Sequence, residues 1–179
     1  QKIIENLNMS VPEGSVFGFI GKNGAGKTTT MKMVLGLLQP DSGKIHVCNE
    51  PVFFGQTKTN QYIGYLPEHP PLYMDMTVRE YLLFVAELKG TRKKADRIAA
   101  VENACARTGL QEMEGRLIRN LSKGYRQRVG IAGALLGTPK VIILDEPTVG
   151  LDPAQMIEIR SLIHDLGKPH TVILSSHIL

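Results

Sequence analysis

The chain has 179 residues, 42% hydrophobic and 21% charged, proportions of an ordinary folded domain rather than a disordered or low-complexity chain. No apolar stretch approaches the roughly 18 residues that a membrane-spanning helix needs, and Cys48 and Cys105 stand far apart without Cys-x-x-Cys or a nearby His, which argues against a disulfide framework or a zinc site. The formal charge of +4 is local, since residues 87–128 carry eleven Lys and Arg against five Asp and Glu, a surface too mildly basic to read as a nucleic-acid binder. The chain opens on Gln1 with neither an initiator Met nor an apolar leader, from which a cytosolic protein trimmed at its start is expected.

Residues 15–20 read as a strand that stops at a glycine-rich loop, residues 21–26. From Lys27 the spacing of Met31, Val34, Leu35 and Leu38 predicts a helix ending at the breaker Pro40-Asp41-Ser42-Gly43. Residues 45–47 and 62–66 read as further strands, the second closed by Pro67. Thr77-Val78-Arg79-Glu80 is a capping box that opens an amphipathic helix. A second helix carries Ile98, Val101, Cys105 and Thr108 on one face and ends at Gly109; Ser122 caps a third, which runs to about Leu136.

Residues 141–144 are apolar at every position, as in a strand buried on both faces of a parallel sheet. Asp152-Pro153 then starts a helix through Ile159, Leu162, Ile163 and Leu166, and residues 171–175 form a last strand before Ser176 and His177. Strands alternating with helices predict a single α/β domain with a parallel sheet, its core in residues 1–75 and 137–179 and a helical subdomain, residues 76–136, inserted between them.

Gly21-Lys22-Asn23-Gly24-Ala25-Gly26-Lys27-Thr28 fits G-x-x-x-x-G-K-[ST] between a strand and a helix. Glycines let successive backbone N–H groups converge on phosphate oxygens, the helix offers its positive end, Lys27 suits the β- and γ-phosphates, and Thr28 suits Mg²⁺. Thr29 extends the same cofactor-binding loop. A carboxylate at the end of a buried strand, Asp145, is positioned to reach that metal, and Glu146 beside it to orient or deprotonate a water attacking the γ-phosphate. The absence of Asn-Lys-x-Asp in the sequence favours ATP over a guanine nucleotide.

Leu121-Ser122-Lys123-Gly124-Tyr125 resembles the signature motif of the ATP-binding-cassette ATPases and stands where that family places it. Glu146-Pro147-Thr148, the Gly150-Leu151-Asp152-Pro153 segment and His177 are similar to the family's Walker B end, D-loop and switch histidine. The resemblance covers essentially the whole chain and implies a P-loop NTPase core, truncated at both ends. It also implies that ATP lies between the phosphate loop of one protomer and the signature of a second, with Ser122, Gly124 and Asp152 acting across a head-to-tail dimer. Glu146, His177 and Lys27 would then be catalytic, and Glu68, standing where a Gln is commoner, would join Thr28 and Asp145 on Mg²⁺.

Tyr65-Leu66-Pro67-Glu68 and the residues 121–128 look most like the ATP-binding subunits of ABC-2-type exporters. That branch implies a peripheral protein on the cytoplasmic face of the membrane, an integral permease partner, a homo- or heterodimer and no direct nucleic-acid contact. A soluble ATPase working on the ribosome or on nucleic acid is the alternative. Two readings stand for the unusual pair: Lys123 of one protomer approaches Glu68 of the other and compensates its charge, or Lys123 points to solvent and Glu68 simply replaces Gln as an oxygen ligand.

Overall fold

The computed structural model describes residues 4–56 and 58–177. Four parallel strands form its sheet in the order β1 (Val16–Ile20), β6 (Thr171–Ser176), β5 (Val141–Leu144) and β4 (Ile63–Leu66). The register sets Gly18 opposite Leu174, Leu174 opposite Leu144, and Leu144 opposite Leu66. The continuous apolar run of β5 is explained by its two faces. Ile142 and Leu144 join Ile131 and Leu135 of α4 (Lys123–Leu135) and Ile159, Leu162 and Ile163 of α5 (Pro153–Leu166) in one cluster. Ile143 turns the other way, onto Met31 of α1 (Lys27–Val34), with Leu35, Ile63 and Ile173. Each such fully buried side chain contributes about 1.5–3 kcal/mol of transfer free energy.

The helices between β4 and β5 have a core of their own. Val78, Tyr81 and Leu82 of α2 (Val78–Leu88), Val101 and Cys105 of α3 (Lys94–Thr108), and Val129 and Ala132 of α4 pack together. The capping box at Thr77 is formed, with the Thr77 hydroxyl accepting from the Glu80 N–H and the Glu80 carboxylate accepting from the Thr77 N–H. Gly109 ends α3 in the left-handed conformation at φ 67°, and Ser122 and Asp152 cap α4 and α5.

Helix α4 lies directly on β4. A Cβ added to Gly64 would overlap the Ala134 carbonyl, so only glycine lets the two backbones approach this closely.

The first helix is shorter than its apolar spacing predicts. It ends at Val34 because Gly36, at φ 70°, turns the chain. Gly36 N–H donates to Met33 O at 3.0 Å and Leu37 N–H to Lys32 O at 2.8 Å, the paired bonds of a Schellman stop. Of the predicted residues 45–47, His46–Val47 form β2, which pairs not with the main sheet but antiparallel with β3 (Glu50–Pro51), across a turn whose Cys48 and Asn49 both have positive φ, 52° and 66°.

A phosphate cradle at the carboxyl ends of the strands

In a parallel sheet the loops that leave the carboxyl ends of the strands share one edge, and here that edge collects the motif residues. β1 leads into the glycine loop, β4 into Glu68, β5 into Asp145 and Glu146, and β6 into His177. Apart from Asp145, which sits behind the wall, these segments and residues that follow β5 line an open cleft of about 760 Å³, walled by Asn23, Gly24, Lys27, Thr28, Glu68 and Glu146 among others. Gly26, Thr29, Thr148, Gly150, Met156 and His177 complete much of its wall. A second cleft of about 700 Å³, at the opposite end of the strands beside Arg107, Lys140 and His170, contains none of the motif residues.

The phosphate loop is built to leave donors free. Gly26 occupies the N-cap of α1 at φ 93° and gives no side-chain cap, whereas Thr77, Ser122 and Asp152 each cap their helices. The first turn of α1 therefore offers N–H groups to an anion. Not every loop amide is available: Gly21 N–H donates to Ser176 O at 3.2 Å and Ala25 N–H to Lys22 O at 3.1 Å. Gly21 and Ala25 thus shape the loop from outside the cleft wall.

Lys27 is buried. Its Nζ donates to the carbonyls of Gly21 at 2.7 Å and Lys22 at 3.3 Å, and stands 3.2 Å from Glu146 Oε1. That oxygen makes no hydrogen bond, so the contact is purely ionic. Oε2 of the same carboxylate lies 2.7 Å from His177 Nδ1. Glu146 reaches both partners from a left-handed backbone at φ 48°, a conformation that costs a residue with a Cβ about 1–2 kcal/mol.

Asp145 is 1% exposed. Its Oδ1 accepts a hydrogen bond from the Ser175 hydroxyl at 2.6 Å, while Oδ2 is buried without any partner. An orphaned carboxylate oxygen at the strand end, with Thr28 in the adjoining wall, suits a hard cation shared with phosphate oxygens. No group of three or more His, Cys, Asp or Glu side chains able to hold a metal occurs among the described residues. Tyr65, on the α1 face of β4, has its phenol pushed up to about 12, chiefly by burial and further by the charge of Asp145.

Ser122, Gly124 and Asp152 do not line this cleft. Gly124 is buried where a Cβ would press to 3.0 Å on the Gln155 side chain, and Asp152 Oδ1 accepts from Gln155 N–H at 2.9 Å. The amino-terminal ends of α4 and α5 are thereby packed together at the side of the cleft, whose wall Met156 of α5 reaches while Ser122, Gly124 and Asp152 do not. Lys123 rests its ammonium against Gly150 of the same chain.

Sequence reasoning missed Ser175. A polar residue at the end of the apolar run 171–174 was the available signal, and its meaning depends on a strand pairing that the sequence alone does not display.

Residues 4–149 match the profile of the family described as ABC transporter. The chain is 44% identical over its full length to the bacitracin transport ATP-binding protein BcrA of Bacillus licheniformis, of which it spans 58%. It is 38% identical, over 99% of its length, to the Nod factor export ATP-binding protein I of Burkholderia pseudomallei, again spanning 58% of that protein. Among solved structures, cbiO1 from Clostridium perfringens, part of the ABC transporter complex cbiONQ, matches with a TM-score of 0.89 at 32% identity, covering 98% of this chain and 72% of the other. The chain thus spans a little over half the length of the curated relatives it matches.

Proposed function

The chain belongs to the ABC transporter family, and from that premise we propose that it binds Mg²⁺–ATP and hydrolyses it as the nucleotide-binding part of an ABC-2-type exporter. The observation that carries this reading is the Glu146 carboxylate, held between Lys27 and His177 at the mouth of the phosphate cradle.

The uncapped turn of α1 receives the phosphates, and Lys27 approaches the β- and γ-oxygens. Those oxygens compete with Glu146 for the ammonium, so nucleotide binding frees Oε1 to accept a proton from water. As that water's oxygen bonds to the γ-phosphorus, the bridge to ADP breaks and the proton passes to Glu146. His177, hydrogen-bonded to Oε2, keeps the carboxylate aimed. When bound, Mg²⁺ neutralises charge on the β- and γ-phosphates, and Thr28, Asp145 and Glu68 are the side chains that would hold it.

Ser122 and Gly124, turned from their own cradle, belong to the γ-phosphate of a second protomer in a head-to-tail dimer, which can be the same or a related chain. Loss of the γ-phosphate removes the group shared by the two halves, and their separation drives an integral permease. No helix among the described residues is long and apolar enough to cross a membrane, in keeping with a peripheral place on the cytoplasmic face. The relatives act in bacitracin transport and Nod factor export by name, which supports an exporter here.

The test is phosphate release by the full-length protein with and without Mg²⁺, beside Lys27→Ala, together with recovery from native membranes. Metal-dependent release lost in the variant, and co-purification with a permease, support the reading. An inert wild type, or co-sedimentation with ribosomes instead of membranes, overturns it.

A further inference from the structure

Ser175 is wholly excluded from solvent, at 0% exposure, in a strand that runs Thr171-Val172-Ile173-Leu174-Ser175-Ser176. A buried hydroxyl is costly unless it is hydrogen-bonded, so its partners need an account. Strand register supplies the beginning of one. Leu174 pairs with Leu144, which sets Ser175 opposite Asp145 at the ends of β6 and β5. Alternation along each strand puts both on the face of Ile173 and Ile143, the face covered by α1. That is the helix that begins with Lys27 and Thr28.

The hydroxyl makes two bonds of opposite sense. It donates to Asp145 Oδ1 at 2.6 Å and accepts from the Glu146 backbone N–H at 2.8 Å. A serine has a single hydroxyl proton, so giving it to Asp145 leaves a lone pair directed at Glu146, and the two bonds define each other. At Asp145 the consequence is asymmetry: one oxygen is occupied and the other, Oδ2, is buried and free. At Glu146 the bond holds a left-handed backbone, φ 48°, that the side chain itself disfavours.

We propose that Ser175 is a positioning residue for ATP hydrolysis, orienting Asp145 so that its free oxygen faces the nucleotide's cation while pinning the turn that aims the Glu146 carboxylate. The proposal rests on the ATPase reading above. It assigns to one hydroxyl the relative placement of the metal-facing acid and the water-activating acid, which adjacent positions in the chain do not by themselves fix.

The experiment compares the full-length wild type with Ser175→Ala, Ser175→Cys and Ser175→Thr. Affinity for a fluorescent ATP analogue is measured in EDTA and then along a Mg²⁺ titration, followed by kcat, KM and thermal unfolding. For the Ala and Cys variants, binding in EDTA should stay within about twofold of wild type. The Mg²⁺ midpoint should rise by about tenfold or more, the usual consequence of losing a partner that orients a metal ligand. Turnover should fall by a similar factor with KM for ATP little changed, and Thr, which restores the hydroxyl, should recover both.

A folded Ala variant with wild-type Mg²⁺ midpoint and kcat overturns the proposal, as does an equal loss of binding with and without metal, which marks a purely structural serine. If Thr is too large for the site, agreement of Ala and Cys at matched stability still decides, because Cys keeps the volume while weakening both bonds; a Cys variant that behaves as wild type beside an impaired Ala variant marks a packing role and overturns the proposal. A wild type that neither binds nor hydrolyses ATP overturns the ATPase reading and this proposal with it, whereas an active wild type matched by Ser175→Ala overturns only the role of Ser175.

Discussion

His177 Nδ1 lies 2.7 Å from Glu146 Oε2, on the side of the carboxylate opposite the ion pair with Lys27. Because a carboxylate offers only acceptors, this contact makes Nδ1 the donor and leaves Nε2 as the ring nitrogen free for other work. Residues 31 positions apart in sequence are joined because β5 and β6 are neighbours whose carboxyl ends share one edge.

Glu146→Gln removes the base while keeping the side chain's size and its ability to accept from His177. ATP binding should persist and hydrolysis should slow by about 10²–10⁴-fold, the usual contribution of a general base. Single-turnover phosphate release and light scattering for an ATP-trapped dimer report the two effects, and normal turnover in the variant would remove Glu146 from the role.

His177→Ala frees Oε2 without touching the phosphate loop. Turnover should fall by about 10²-fold or more, the range typical of acid–base groups, while nucleotide affinity of the isolated protein in EDTA changes little. A parallel loss of affinity would mean that the histidine acts mainly by holding the fold of the cleft.

The two thiols should behave as different chemical species. Cys48 is exposed, whereas Cys105 is buried and its thiol is pushed up to about 12, first by burial and then by the nearby Glu114 carboxylate. Reactivity follows thiolate and access, so a maleimide should label Cys48 quickly and Cys105 only after denaturant is added. A raised folded value means that the unfolded state loses its thiol proton first, so Cys105 removes stability as pH climbs above about 8.5.

Lys89 acts in the opposite direction. It reaches from the end of α2 to the carbonyls of Ala134 at 3.2 Å and Leu136 at 3.0 Å, and desolvation there pushes its ammonium down from 10.5 to about 8. Between those values the unfolded chain binds more protons than the folded one, so this group raises stability as pH increases. The urea midpoint of wild type relative to that of Lys89→Met should rise from pH 7.5 to pH 10, and a constant difference would count against the assignment.

Chemistry that is local in sequence was readable in advance. The capping residues Thr77, Ser122 and Asp152 act within three positions of themselves, and the phosphate loop carries its own strand and helix on either side, so each was placed correctly from the sequence. What depended on partners distant in sequence was not. The apolar spacing of Leu35 and Leu38 continued past the true end of α1, although only Leu35 is buried, with Val47 of the hairpin segment, and Leu38 is exposed; Gly36 was available as a stop only once its backbone bonds were known. β3 was invisible because Glu50 and Pro51 pair only two residues long and carry no strand pattern. Ser175 was missed since its hydroxyl is meaningful only beside Asp145, and no spacing rule links the two.

The contact between Gly64 and Ala134 makes a gear of two elements that the chain order separates. With no side chain between the backbones, α4 cannot slide or tilt on β4 without carrying that strand along. β4 runs antiparallel to α4, with Gly64 beside Ala134 and Leu66 and Pro70 beside Gly130, so the loop of Glu68 leaves the strand toward the end of α4 that Ser122 caps. If Ser122 engages nucleotide as proposed, a shift of that end of α4 should therefore carry β4 and the loop of Glu68 with it rather than be absorbed between the two backbones.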